Sequence, residues 1–326
     1  MIKVAVIDDW QDIARSSADW SALEASADVS FFSNAFTNED DAAAKLAEFE
    51  IVLTMRERTP LSASLINRLP NLRMLGVTGL QNRSLDVAAC TARGVVVCST
   101  AGATARQATA ELALGLLLAA ARAIPAADAN IRAGRFQKGL PVGISLAGKT
   151  IGIIGLGRLG SCMAGYCRAL TMNVIAWSQN LTAERAQAAG ATLVSKETLL
   201  SSSDAISIHL VLSQRSRGLI GAADIAQMKP GAILINTSRG PIVDETALIE
   251  AVQARRIVAA LDVYDREPLP ANHPLRTAPN TVLTPHLGYG VQDTWAEYYP
   301  QSAENALAFL EGKPVRVANP EVLSAV

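Results

Sequence analysis

Short apolar runs, rich in β-branched residues, alternate along the chain with stretches of helical spacing. Residues 4–7, 29–32, 51–54, 72–77 and 95–98 read as strands, and helical patterns such as 41–49 and 62–69 fall between most of them. That alternation predicts a parallel sheet with helices on both faces. Residues 104–122 are Ala- and Leu-rich and apolar on most sides, which predicts a buried helix, either between domains or against a partner subunit. Residues 123–148, with Gly134, Gly139, Pro141 and Gly143, read as a linker or arm. A second series starts at Thr150. Its later strands read at 174–177, 192–194, 205–208, 232–236, 258–263 and 281–283, with helices at 183–189, 224–228 and 245–254. Residues 291–310 read as a final amphipathic helix, stopped by Gly312 and Pro314.

The second series opens on Ile151, Ile153 and Ile154, then Gly155-Leu156-Gly157-Arg158-Leu159-Gly160, then a helical pattern. Strand, glycine turn and helix in that order are the context a dinucleotide fingerprint requires. Gly155 permits the tight turn, Gly157 lets the backbone approach a pyrophosphate, and Gly160 lets helix pack on strand. The pyrophosphate would sit on the helix N-terminus, where unpaired N–H groups and the helix dipole favour an anion. No such turn follows Ile7, where Asp8-Asp9-Trp10 stands instead. The expected fold is therefore α/β, with two doubly wound parallel-sheet domains. Residues 1–101 and 287–326 would form a flavodoxin-like, substrate-binding domain, and 102–286 a Rossmann dinucleotide-binding domain.

Composition narrows the classes. Half of the 326 residues are hydrophobic and 18% are charged, enough for a sizeable core. Lys+Arg is 29 against Asp+Glu 30, so no electrostatic case exists for nucleic acid or an anionic membrane. No leader pattern precedes Val4, and the apolar stretch 112–121 is too short to cross a bilayer; a soluble, cytoplasmic protein is expected. Cys90, Cys98, Cys162 and Cys167 lack metal or redox spacing and read as buried free thiols.

In an open α/β sheet, ligands gather beyond the carboxyl ends of strands. Asn236-Thr237-Ser238-Arg239-Gly240, Asp262-Val263-Tyr264-Asp265-Arg266-Glu267-Pro268 and Thr284-Pro285-His286-Leu287-Gly288 follow three successive strands. An arginine, a carboxylate and a histidine thus converge on one edge. In these motifs, and in the GLGRLG turn, the chain resembles the D-isomer-specific 2-hydroxyacid dehydrogenases. The likeness extends through Met55-Arg56-Glu57-Arg58-Thr59, Thr78-Gly79-Leu80-Gln81-Asn82-Arg83-Ser84-Leu85-Asp86 and Ala110-Glu111.

The resemblance implies that Arg239 holds the substrate carboxylate, since a planar guanidinium can address both oxygens. His286 would exchange a proton with the forming or reacting alcohol, a role suited to an unperturbed pKa near 6.5. Glu267 would orient the imidazole. The dinucleotide would lie along Gly155, Gly157, Arg158, Leu159, Gly160, Ser178, Gln179, Asn180, His209, Thr237, Ser238, Arg239, Asp262, His286 and Gly288. Substrate contacts would come from Arg56, Arg58, Thr78, Gly79, Leu80, Arg239 and Tyr289, with backbone N–H groups around 78–81 helping to hold a carboxylate. Phosphoglycerate dehydrogenases of this family similarly carry two arginines near Arg56 and Arg58, which makes a second anionic group on the substrate a possibility, beside the plainer reading of two loop charges. His209 reads as structural and His273 as an exposed loop residue; no metal is expected. The implied assembly is a homodimer, joined through the long helix and the arm, with the active site closing between two domains.

Two features depart from the family pattern. Ser178 stands where an NAD enzyme places the acidic residue that binds the ribose 2′-hydroxyl, with Gln179 and Asn180 beside it. Acceptance of NADP as well as NAD is therefore expected, with Arg158 and Arg185 as the nearest cationic candidates. Tyr289, Trp295, Tyr298 and Tyr299 follow His286 and either shape the pocket or pack the last helix. The expected activity is hydride transfer between NAD(P)H and a small 2-keto acid or D-2-hydroxy acid. Its rivals are phosphoglycerate dehydrogenase or glyoxylate/hydroxypyruvate reductase activity and, from another class, a non-catalytic cofactor-sensing protein. The short stretch after the last helix leaves no room for a regulatory domain, which weakens a role in serine biosynthesis.

Overall fold

A computed structural model describes residues 1–80, 82–102 and 107–324. The start of the helix expected from Thr104, and the N–H group of Gln81, lie outside the described residues. The chain divides into two compact units, Met1–Ala105 with Val291–Val326, and Arg106–Gly290.

The first unit is built on a parallel sheet of β1 (Ile2–Val6), β2 (Ala27–Phe31), β3 (Ile51–Thr54), β4 (Met74–Val77) and β5 (Val96–Ser99). Their spatial order is β2-β1-β3-β4-β5, the flavodoxin-like order. Val4 is paired with Val29 on one side and Ile51 on the other, so β1 is an interior strand and carries only apolar residues from Val4 to Val6. The edge of β5 is covered from far along the chain: Ser99 N donates to Arg316 O, and Ala318 N donates to Val97 O. Asn319 fastens that edge, its Oδ1 accepting from Val97 N at 2.8 Å and its Nδ2 donating to Val95 O at 3.0 Å. The last helix, Gln292–Leu310, packs on β4 and β5. Trp295, Tyr298 and Tyr299 are buried in that packing, and Tyr299 lies 6.0 Å from Trp295 and 6.4 Å from Trp20, ring centre to ring centre. These three aromatic side chains therefore contribute to the packing of the last helix.

The second unit holds β6 (Thr150–Ile154), β7 (Asn173–Trp177), β8 (Thr192–Leu193), β9 (Ala205–Ile208), β10 (Ile233–Asn236), β11 (Val258–Leu261) and β12 (Thr281–Leu283). They form one parallel sheet in the order β12-β11-β10-β9-β6-β7-β8. The long apolar helix, Ala108–Ala121, buries Ala113, Leu116, Leu117 and Ala121. It lies on β10, β11 and β12 and on the fingerprint helix Arg158–Ala169, so much of its apolar surface is spent within this unit.

The structure adds two helices to the sequence reading. The arm 123–148 is not irregular throughout: Ile124–Arg132 is a helix, with Pro125 in its first turn and the left-handed Ala123 (φ +51°) setting it off from the helix before. Proline's fixed φ suits that first turn, and the glycines break the chain only after Arg132. Helix Lys196–Ser202, capped by Ser195 accepting from Thr198 N, was not anticipated. Among the described residues, no single helix is long and apolar enough to cross a membrane.

Candidate active site

The register of the second sheet decides what its carboxyl edge presents. Asn236 pairs with Ile208 and Leu261, and Leu261 with Leu283, so β9 to β12 end level with one another. The residues that follow, His209, Thr237, Asp262 and Thr284, therefore emerge side by side.

At β6 the turn is as tight as its glycines require. Gly155 has φ +96°, and a Cβ there would lie 2.5 Å from the His209 carbonyl oxygen. A Cβ on Gly160 would stand 2.1 Å from Gly155 O, whereas one on Gly157 would meet nothing within 4 Å. The helix that follows has no side-chain cap on its first turn. Open space, uncapped N–H groups and a positive helix end are the requirements for a pyrophosphate. Two orphaned polar atoms stand on the same edge: Thr237 Oγ1 and His209 Nδ1 are buried without a hydrogen-bond partner. The other ring nitrogen of His209 is 2.9 Å from Ser207 Oγ, and burial pushes the imidazole pKa down to about 4, so the ring is neutral. Buried polar atoms without partners are rare in folded proteins, and here they fit a ligand that supplies the missing bonds. Ser178 is half-buried at the end of β7, while Gln179 and Asn180 are exposed.

Glu267 and His286 are brought together: Nδ1 of the imidazole is 2.5 Å from Glu267 Oε2. The other carboxylate oxygen accepts from Tyr264 N at 2.9 Å, which fixes Glu267 at both ends. His286 itself has φ +55°, an uncommon backbone for a residue with a side chain. Its loop is held there by Asp262, fully buried beneath it. One oxygen of Asp262 accepts from Thr284 Oγ1 at 2.6 Å and Leu287 N at 2.8 Å, and the other accepts from Gly288 N at 2.8 Å. Burial pushes the Asp262 carboxyl above its usual range, against the pull of these donors. Gly288 also accepts through its carbonyl from Thr109 Oγ1 at 2.9 Å. Asp262 and Gly288, expected along the dinucleotide, also shape the His286 loop through these bonds.

Arg239 follows β10, half-buried, with Nη1 donating to Ser238 O at 2.7 Å. Ser238 Oγ donates to Ile208 O at 2.7 Å and so ties this loop to β9. Gly240 brings the loop against the Glu267 loop: a Cβ there would lie 2.1 Å from the Tyr264 carbonyl carbon. Tyr289 sets its ring edge-on to His286, centroids 5.8 Å apart. Tyr264 was not singled out from the sequence, yet it donates through its hydroxyl to Thr284 O at 3.0 Å as well as through its N–H to Glu267. Its position two residues after Asp262, in DVYDREP, was the only sequence signal.

His273, expected to be exposed, is 14% exposed and paired with Glu245 Oε2 at 3.3 Å, where it caps a short helical turn. Of the four cysteines, Cys162 is only half-buried. The other three are buried, and that burial pushes their thiols up to about 12, 11 and 12 for Cys90, Cys98 and Cys167.

In the first unit, Arg56 and Arg58 lie just after β3. Arg56 (φ +54°) donates from its backbone to Thr78 Oγ1 at 2.7 Å and from Nη1 to Thr78 O at 3.1 Å. Arg58 Nη1 donates to Asp8 O at 2.5 Å, and its guanidinium sits 4.7 Å over the Trp10 ring. Leu80 is 72% exposed. Of the backbone N–H groups around 78–81, that of Gly79 is bonded to Thr100 Oγ1 at 2.8 Å.

Comparison with known proteins places the chain in a family. Residues 114–288 match the family described as D-isomer specific 2-hydroxyacid dehydrogenase, NAD binding domain. The chain is 39% identical over 272 residues to a glyoxylate reductase of Aeropyrum pernix, covering 81% of each protein. It is 39% identical over 282 residues to a D-3-phosphoglycerate dehydrogenase of Archaeoglobus fulgidus, covering 86% of this chain and 53% of that one. The chain thus spans about half the length of the phosphoglycerate dehydrogenases it matches. Among solved structures, a phosphoglycerate oxidoreductase of Vibrio cholerae superposes with a TM-score of 0.88 at 34% identity, over 96% of this chain and all of that one.

Proposed function

The chain belongs to the D-isomer specific 2-hydroxyacid dehydrogenase family, and we propose that it interconverts a small 2-keto acid and the corresponding D-2-hydroxy acid. A bound nicotinamide dinucleotide supplies or accepts the hydride. The observation that carries this reading is the Glu267–His286 pair, level on the sheet edge with Arg239.

Glu267 occupies Nδ1 of the imidazole, so the proton exchanged with substrate oxygen is the one at Nε2. Glu267 is itself held by Tyr264 N, and Asp262 fixes the loop beneath, so the ring need not reorganise during reaction. Arg239 holds the carboxylate next to the reacting carbon and polarises the carbonyl. The dinucleotide is held by Gly155, Gly157, Arg158, Leu159 and Gly160 at the first turn, with His209, Thr237 and Ser238 on the neighbouring strand ends. Its adenosine ribose falls to Ser178, Gln179 and Asn180. No carboxylate stands among those three residues, so a 2′-phosphate meets no repulsion there, which supports the use of NADP as well as NAD. Arg56 and Arg58 contact a second anionic group of the substrate, and Tyr289 bounds the space beside the imidazole.

The assembly is a homodimer formed through the arm. Ile124, Ile131, Phe136, Val142 and Ile144 are all exposed, Val142 at 96%, and a cavity of about 650 Å³ lies between the arm and the β11–β12 edge. So much apolar surface in one stretch is what a second copy would cover.

The test is reduction of glyoxylate, pyruvate, hydroxypyruvate and 3-phosphohydroxypyruvate with NADH and with NADPH, followed by cofactor absorbance. Turnover of at least one acid is expected, with kcat/KM for NADPH within tenfold of that for NADH or above it. Absence of turnover across the panel overturns the enzymatic reading. A preference for NADH beyond tenfold overturns the cofactor assignment alone.

A further inference from the structure

Asp8-Asp9-Trp10 stands after β1, where a nucleotide fold would place its glycine turn, and nothing in the proposed chemistry uses it. Asp8 is fully buried and has φ +65°. Both features are costly, one through desolvation and the other through backbone strain. Burial outweighs the neighbouring donors and pushes its carboxyl up to about 6.

What these costs maintain is visible in the contacts. Oδ1 of Asp8 accepts from Thr59 Oγ1 at 2.6 Å, and Oδ2 accepts from Thr59 N at 3.3 Å. The carbonyl of the same residue accepts from Arg58 Nη1 at 2.5 Å, and Trp10, two residues on, lies under the Arg58 guanidinium. Three bonds and a ring thus fix one short turn, Met55 to Thr59, and that turn carries both arginines. Arg56 within it is again left-handed, so two strained residues meet at the carboxyl ends of the paired strands β1 and β3. Strain of this kind gathers at functional sites. Asp9 secures the other flank, its carboxylate accepting from Ile13 N at 3.0 Å, Ala14 N at 2.9 Å and Tyr299 OH at 3.2 Å. A guanidinium addresses anions through its edge, and stacking its face on an indole does not compete with that.

We propose that Asp8 is a positioning residue: through Thr59, and with Trp10 as platform, it orients Arg58 for an anionic group of the substrate. Selectivity for a keto acid with a second negative charge then depends on a carboxylate that never touches that substrate. The inference rests on the reading that Arg56 and Arg58 contact the substrate.

Two measurements on the full-length protein at pH 8 decide it. In the first, Asp8→Asn and Thr59→Val are compared with wild type on 3-phosphohydroxypyruvate and glyoxylate. Thr59→Val keeps the buried carboxyl and loses only the hydroxyl donor, so it serves where Asp8→Asn fails to fold. A rise in KM of tenfold or more for the phosphorylated acid is expected, with kcat within twofold and KM for glyoxylate unchanged within twofold. Equal losses on both acids, or a loss in kcat alone, would mean a merely structural role and overturn the proposal.

The second measurement needs no turnover. Inorganic phosphate is titrated while tryptophan emission is recorded. A saturable change that Trp10→Phe abolishes, and whose midpoint Thr59→Val raises at least fivefold, supports the proposal. No change attributable to Trp10, or an unaltered midpoint in the variant, overturns it. If wild type turns over none of the four acids of the panel, the enzymatic reading fails, and the phosphate titration still decides the role of Asp8.

Discussion

At the scale of single residues, what each side chain can do follows from which of its atoms are already committed. His286 has Nδ1 committed to Glu267, leaving Nε2 for proton exchange. Glu267→Gln keeps the shape and removes the charge, and a fall in kcat/KM on the order of 10²-fold is expected, the lower range for a displaced acid–base group. His286→Ala should abolish reduction while the dinucleotide still binds, as checked by steady-state rates and quenching of cofactor fluorescence. The residue types that mattered were readable in the chain, because Arg239, Glu267 and His286 each follow a strand. The partners of Asp262 were not. Its carboxylate meets Leu287 and Gly288 only once a left-handed histidine has folded the loop over it, and no spacing in the sequence encodes that.

Between elements, the decisive contacts are backbone against backbone. Gly240 touches Tyr264 so closely that the Arg239 loop and the Glu267 loop share one surface. Gly240→Ala should push them apart, costing about 3 kcal/mol of stability as an overpacked core position does. The check is chemical denaturation together with KM for the keto acid, which should rise as Arg239 is displaced. The strands themselves were legible from their apolar runs, since a parallel sheet buried on both faces leaves little else at those positions. Helix Ile124–Arg132 was obscured because Gly134, Gly139 and Gly143, all beyond its end, dominate the composition of that stretch. The short helix Lys196–Ser202 did carry a sign, Ser195 followed by Thr198, too brief for a periodic pattern to register.

For the whole molecule, the expected association is between copies of the second unit. Phe136→Asp with Val142→Asp places charge in the exposed apolar arm, and a shift from dimer to monomer is expected by sedimentation velocity, with the thermal midpoint lowered by several degrees. A wild-type monomer at micromolar concentration would remove that assignment.

The first unit is drawn from both ends of the chain, with the last helix on β4 and β5 and Asn319 locked to Val95 and Val97. During synthesis the ribosome therefore releases an opening sheet whose cover is still encoded hundreds of nucleotides downstream, while the middle segment is contiguous in the chain. The earliest-made strands of this protein thus wait on its last-made residues for the cover they have in the finished fold.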